Sequence, residues 1–353
     1  MNFEEETNEA VGLLQQLISI PSFSKEEENV ADFLERFIEL KGYVISRAGN
    51  NLWLTSPGFD SSKPTVLLNS HIDTVKPVNA WTRDPFTPHV ENGRLYGLGS
   101  NDAGASVVSL LYAFFYLTQQ QQHYNLIFAA SAEEENSGPN GMETLLKELP
   151  EIHFAIVGEP TGMQMAVAEK GLMVLDCVVV GQAGHAARDE GDNAIYKSMA
   201  SIEWFRNHVF EKSSDLLGPV KMTVTQIAAG IQHNVVPDKC TFVVDVRSNE
   251  LYSNAELLDE IRKYVFCEVR PRSTRLSSTA TPLGHPIVKR GREMNRNLYG
   301  SPTLSDQALM PFPSLKMGPG DSARSHTADE FVLVREIGEA IELYIQLLDG
   351  LKI

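Results

Sequence analysis

The chain has 353 residues, a hydrophobic fraction of 42%, a charged fraction of 22% and a formal net charge of −16. That length exceeds one ordinary core and predicts two domains, and the composition is that of a folded globular protein. The acidity argues against nucleic acid or an anionic membrane as the natural partner and is compatible with a small cationic substrate.

The opening MNFEEETNEA is acidic and lacks the basic-then-apolar pattern of a secretory signal. The most apolar long run, 107–117, is too short to cross a bilayer. Cys177, Cys240 and Cys267 are odd in number and lack CxxC spacing, so neither a disulfide framework nor a thiolate zinc site is expected. A cytoplasmic protein is the expectation.

Residues 4–18 carry apolar positions at helical spacing. After the break at Pro21-Ser22-Phe23-Ser24, Ser24 predicts an N-cap for a second amphipathic helix ending near residue 40. Residues 43–55 and 65–69 read as strands, and Asn92-Gly93 predicts a hairpin. The segment GLGSNDAGA then opens an apolar helix over 106–117. Gly97-x-Gly99 is no dinucleotide fingerprint, because Asp102 occupies the place of the third glycine. P-loop, GxSxG and HExxH patterns are absent, which removes nucleotide hydrolases, elbow-type serine hydrolases and zincins.

From residue 172 the texture changes. Strand, helix, two strands, helix and strand follow in turn, the last over 266–276, which is the βαββαβ order of a ferredoxin-like fold. The block is bounded by Glu169-Lys170-Gly171 and by the Ser/Thr/Pro/Gly-rich stretch 277–284. The expectation is an α/β protein whose catalytic domain, 1–171 and 285–353, has a mixed sheet flanked by helices. Residues 172–284 form an α+β insertion. A helix over 336–348 closes the chain.

Chemistry gathers where apolar strands stop. The run 65–69 leads to His71-x-Asp73, 125–130 to Glu133-Glu134-Glu135, 154–157 to Gly158-Glu159-Pro160, and 315–318 to Asp321 and His326. In open α/β sheets the ligand crevice lies beyond the carboxyl ends of the strands, so these side chains are expected to converge. A lone His-x-Asp is more often a surface hydrogen bond, and repetition of the pattern raises it to a metal cleft. His71, Asp102, Glu134, Glu159 and His326 are the candidate ligands. Nitrogen and carboxylate donors without thiolate suit zinc, with cobalt or manganese as substitutes. Five ligands exceed the needs of one catalytic zinc and suit two metals bridged by a carboxylate. On an extended segment neighbouring residues point apart, so if Glu134 is a ligand, Glu133 is free to act as base.

His71-x-Asp73, Asp102, Glu133-Glu134, Gly158-Glu159-Pro160, Gly184-His185-Ala186, Asn234-x-x-Pro237 and His326-x-x-Asp329-Glu330 together resemble the co-catalytic zinc amidohydrolases. That family includes acetylornithine deacetylase, succinyl-diaminopimelate desuccinylase, aminoacylase and glutamate-releasing carboxypeptidases. The resemblance spans essentially the whole chain in order. It implies Asp102 as bridge, His71 and Glu159 on one metal, and Glu134 and His326 on the other. It further implies Asp73 as the orienting acid, Glu133 as general base, and the insertion as a dimerisation domain making a homodimer. His185, Asn234 and Arg247 match substrate-binding positions, the histidine reaching the partner subunit's cleft. The implied reaction is hydrolysis of an N-acyl amino acid, acetyl- or succinyl-ornithine in arginine biosynthesis. Succinyl-diaminopimelate, or a dipeptidase or carboxypeptidase activity, is the alternative, and a non-catalytic binding protein a remoter one. Lys170, Arg188 and Arg324 are candidate cations for a second carboxylate. Two segments depart from the family: Asp102-Ala103-Gly104-Ala105, where a bulky or acidic residue and then a lysine are usual, and the unusually polar PGDSARSH.

Overall fold

A computed structural model describes residues 3–188 and 190–353, with the backbone alone for residue 3. The chain divides into two units. The first comprises the chain up to Val167 with Thr281–Tyr299 and Ser305–Ile353, and the second is Ala168–Ala280 with Gly300–Leu304.

The first unit is built on a mixed sheet. Its strands lie in the order Ser46–Ala48, Asn51–Thr55, Asn125–Ser131, Thr65–His71, Phe154–Val157, Ser314–Lys316, Met165–Glu169. The four from Asn125–Ser131 to Ser314–Lys316 run parallel, and the flanking strands antiparallel. Every residue of Thr65–His71 and Asn125–Ser131 is buried, as expected where helices cover both faces. On one face Leu67, Ile127, Ala129, Ala155 and Val157 pack with Met142 and Leu145 of the helix Met142–Glu148. On the other face lies the helix Ala105–Leu117, buried at all but one position, which packs against the helices Phe3–Ile18 and Val334–Leu348. Parallel strands end at one edge of a sheet. His71 therefore stands opposite Ser131, and Asn69 opposite Val157.

Two local expectations are corrected. The segment 43–55 is a hairpin, with Ala48 paired to Asn51 across Gly49 at φ +61°. Ser24 caps no helix. Glu28–Leu40 starts after Glu27 without a side-chain cap, and the Ser24 hydroxyl donates instead to Asp73 Oδ2 at 2.7 Å. The Asn92-Gly93 hairpin forms, both residues at positive φ as a type I′ turn requires.

The second unit has strands Met173–Val180, Lys221–Ala229, Lys239–Arg247 and Glu268–Pro271, with helices Ala194–Asn207 and Asn254–Tyr264. The strand expected over 266–276 is thus shorter. The first strand is central, flanked by the third and fourth, with the second at the edge, which is the ferredoxin-like order. Met173, Leu175, Cys177 and Val179 alternate with less buried neighbours, so one face carries the core with Phe205, Phe242, Leu257 and Ile261.

Candidate metal centre

His71 ends the central parallel strand, with its ring buried. Nδ1 donates to the Asp73 backbone carbonyl at 2.9 Å and stands 3.5 Å from Asp73 Oδ1. An acceptor there keeps Nδ1 protonated and turns Nε2 toward a group of carboxylates. Asp102 Oδ1 lies 3.2 Å from Nε2, Glu159 Oε1 3.7 Å and Glu134 Oε2 4.0 Å. Burial alone would depress the imidazole, but the carboxylates of Asp102 and Asp73, with Glu134 and Glu159, raise its pKa well above the ordinary value. The extra proton belongs on Nε2, the position a metal would take.

Asp102 faces both imidazoles. Its other oxygen, Oδ2, lies 3.6 Å from His326 Nε2, which also meets Glu135 Oε2 at 3.0 Å. Buried Glu330 fixes the backbone here, accepting the N–H groups of Asn101 and Asp102 at 2.8 and 3.0 Å. Asp329 accepts from Thr82 and Arg83 and so anchors the loop at 82–83.

The three consecutive glutamates differ from the sequence expectation. The segment 132–137 is a turn, with Glu133 at φ +54°. The alternation assumed for an extended chain is therefore lost. The Glu133 carboxylate accepts from the Asn140 side chain at 2.8 Å and lies over Gly138, where a Cβ would overlap it. Glu133, expected as base, is not brought to the cluster. Glu134, expected as ligand, stands beside His71, and Glu135, given no role from the sequence, meets His326. Asp73 sets this arrangement by accepting the backbone N–H groups of Glu134 and Glu135 at 3.0 and 3.1 Å.

Two groups of donor atoms close enough to share an ion result: His71, Glu134 and Glu159, and His71, Asp102 and Glu135. All are imidazole or carboxylate, as a zinc-type site needs. Glu135 Oε1 is buried with no hydrogen-bond partner among the described residues, an orphan a cation would satisfy. Burial and the Asp102 charge push the Glu159 carboxyl up to about 8, and burial raises Glu134 well above the carboxylate range. Burial, with neighbouring carboxylates adding to it, disfavours the charged form of these groups, and a bound cation would restore it. The residues fit the group.

Sequence reasoning also missed Asp306, whose Oδ2 accepts from Asn69 Nδ2 at 2.9 Å and Ser131 Oγ at 2.6 Å. It thereby joins the two strands that deliver His71 and the glutamates. A lone acid beside the apolar stretch 308–310 was its only signal. Gly104, in one departing segment, sits where a Cβ would strike the Gly99 carbonyl and Leu14, so the family's lysine has no room there.

His185, Asn234 and Arg247 belong to the second unit. The chain brings the first two together, Ala186 N donating to the Asn234 carbonyl at 3.0 Å. His185 is exposed, and its Nδ1 accepts from Ala187 N at 3.0 Å. In the neutral ring the proton then sits on Nε2, which is left as the donor. Arg247 is not free. Its fork is held by Asp245 at 2.8 and 3.1 Å. Arg324 is likewise committed, bidentate to Glu336 at 2.7 and 3.2 Å.

Fold and site together define a metal-dependent hydrolase. The chain belongs to peptidase family M20/M25/M40, whose family model matches residues 67–350. A Mycobacterium tuberculosis protein provisionally named succinyl-diaminopimelate desuccinylase DapE is 30% identical over 357 residues, covering 96% of this chain and 98% of its own. Acetylornithine deacetylase of Proteus mirabilis is 27% identical over 377 residues, covering 96% of each chain. The structure of Bacillus subtilis YXEP, described as a dinuclear metal-binding peptidase of the same family, superposes with a TM-score of 0.74. It is 16% identical and covers 98% of both chains. No helix among the described residues is long and apolar enough to cross a membrane.

Proposed function

We propose that this metallo-hydrolase removes an acyl group from a diamino acid: acetyl or succinyl from ornithine, or succinyl from diaminopimelate. The observation that carries the reading is the separation of Glu134 from Glu135. Glu135 joins Asp102 and His326, while Glu134 remains beside His71 with a carboxyl raised by burial. His71, Asp102 and Glu159 would then hold one metal ion, and Asp102, Glu135 and His326 the other, with zinc the ion that suits these donors. Bound there, the two ions would polarise the acyl carbonyl and acidify water. Glu134 takes the proton of the attacking water as the new C–O bond forms, and returns it to the amine nitrogen as the C–N bond breaks. Asp73 holds His71 and the 134–135 backbone in place for that transfer.

His185 and Asn234 serve the substrate, His185 as a donor to the developing oxyanion of the partner subunit's site. Arg247 meets the substrate carboxylate after exchanging Asp245 for it. A homodimer through the second unit is supported by its edge strand Lys221–Ala229 and by Tyr196, Met199 and Ile227, all more than half exposed. Cytoplasmic residence is supported by three unpaired cysteines.

The experiment compares kcat/KM of the zinc-loaded protein on acetyl-ornithine, succinyl-ornithine, succinyl-diaminopimelate and a simple dipeptide. One acyl diamino acid is expected to lead, which also decides between arginine and lysine biosynthesis. A dipeptide preferred tenfold over all three, about 1.4 kcal/mol in the barrier, would replace the deacylase reading with a peptidase.

A further inference from the structure

The two segments that depart from the family pattern touch one another. Asn101, the residue before Asp102, is completely buried. Its side-chain amide forms a closed pair with the backbone of Asp321, Oδ1 accepting from Asp321 N at 3.0 Å and Nδ2 donating to the Asp321 carbonyl at 3.1 Å. Nδ2 also donates to Ser325 Oγ at 3.2 Å. Ser325 accepts that bond one residue before His326. Gly320, at φ +88°, leaves the space the amide fills, since a Cβ there would collide with Asn101 Oδ1. Asp321 in turn caps the short turn Ser322–Arg324, accepting from Ala323 N at 2.9 Å, and His326 follows directly.

We propose that Asn101 is a positioning residue for the second metal position: its amide locks the segment bearing His326 to the segment bearing Asp102, and so sets the gap the ion must bridge. The inference rests on the two-metal reading above. Three features support it over a purely structural role. Asn101 makes these three bonds to the His326 segment and none to the strands that carry His71 and Glu159. His326 itself is half-exposed, with a side-chain exposure of 55%, so little packing holds it. Within PGDSARSH the amide takes the Asp321 backbone and the Ser325 hydroxyl, which bracket the short turn that leads into His326.

The test is a cobalt titration of metal-free protein, followed by the visible absorption of each equivalent and checked by circular dichroism for folding. Wild type should take up two equivalents. In Asn101→Ala the first should bind within about threefold of wild type, and the second should weaken by about 10–100-fold, the usual cost of losing an outer partner. Ser325→Ala should show a smaller shift of the same kind, and excess metal should restore kcat in both. If wild type takes up two equivalents and Asn101→Ala weakens neither, or weakens both alike, the positioning role is overturned. If wild type takes up only one, the two-metal reading fails and the inference with it. Should Asn101→Ala not fold, Ser325→Ala carries the decision, and an unshifted second equivalent there overturns the role.

Discussion

The backbone N–H of Glu134 donates to Asp73 Oδ1 at 3.0 Å. The same carboxylate takes Glu135 N at 3.1 Å and the Ser24 hydroxyl at 2.7 Å, and lies against the His71 ring. One buried acid thus orients an imidazole and the loop carrying two glutamates. Asp73→Asn would aim an NH2 group at N–H donors, leaving at least one unpaired in a buried place. Metal affinity and kcat should both fall by about 10–100-fold. Ser24→Ala, which removes one donor and leaves the acid, should cost about threefold or less. A calorimetric metal titration with parallel kinetics checks both, and equal losses in the two variants would show that the hydroxyl, not the acid, is the organiser.

Glu133 and Glu134 separate cleanly by substitution. Glu134→Gln should keep both metals and lose about 10²–10⁴-fold in kcat, the contribution of a positioned base. Glu133→Gln should retain most of its activity, since its carboxylate serves Asn140. Metal analysis and steady-state kinetics on the two purified variants decide it, and the reverse pattern would return the base to Glu133.

Metal uptake should expel protons. In the metal-free protein the hydrogen bond to Glu135 pushes the His326 imidazole up to about 9. A metal must displace that proton, so apparent affinity should climb as pH rises from 6 toward about 9 and level off beyond. Glu135→Gln removes the negative charge that favours the proton and, with it, an anionic ligand, and should drop the metal content from about two to about one per chain. Dialysis at several pH values followed by elemental analysis reads both effects. An affinity independent of pH over that range would place His326 outside the metal site.

Asp306 offers a stability test at a buried acid that is not itself a candidate ligand. Burial raises its carboxyl to about 6, against the hydrogen bonds from Ser131 and Asn69 that favour the anion. A folded-state value above the unfolded one contributes stability that is complete below about pH 4 and lost as pH rises through about 6. Both donors converge on Oδ2, so an amide oxygen can replace it. Metal-free Asp306→Asn should therefore match wild type near pH 4 and exceed it near pH 7, by an amount on the order of 1–3 kcal/mol. Urea midpoints at the two pH values test the sign. A variant less stable than wild type at pH 7 would mean the charge itself is wanted.

The convergence of the site was legible because it follows from chain direction. Parallel strands end at one edge, and the residues after 65–71, 125–131 and 154–157 could go nowhere else. The ferredoxin-like order was legible from alternating and helical periodicities. What escaped lay in turns and in long-range hydrogen bonds. The left-handed φ of Glu133 reverses the facing of its neighbours, and no periodicity signals it. Ser24 looked like a cap because a helix follows, yet it is taken by an acid 49 residues away. Asn101 and Ser325 carried no visible link, since they stand 224 positions apart and only folding brings them together.

The turn at residues 132–137 bears on how relatives of this chain are compared. Three identical letters stand in a row, and a shift of one place along them leaves any scoring of residue likeness almost untouched. The chemical meaning changes completely, because one glutamate faces Asn140, the next His71 and the third His326. Asp73 supplies the missing index: the two residues whose amides it accepts are the ones that face the imidazoles of the candidate metal centre. In a relative with a shorter or longer acidic run, counting back from that pair of amide bonds identifies the base and the ligand where letter matching cannot.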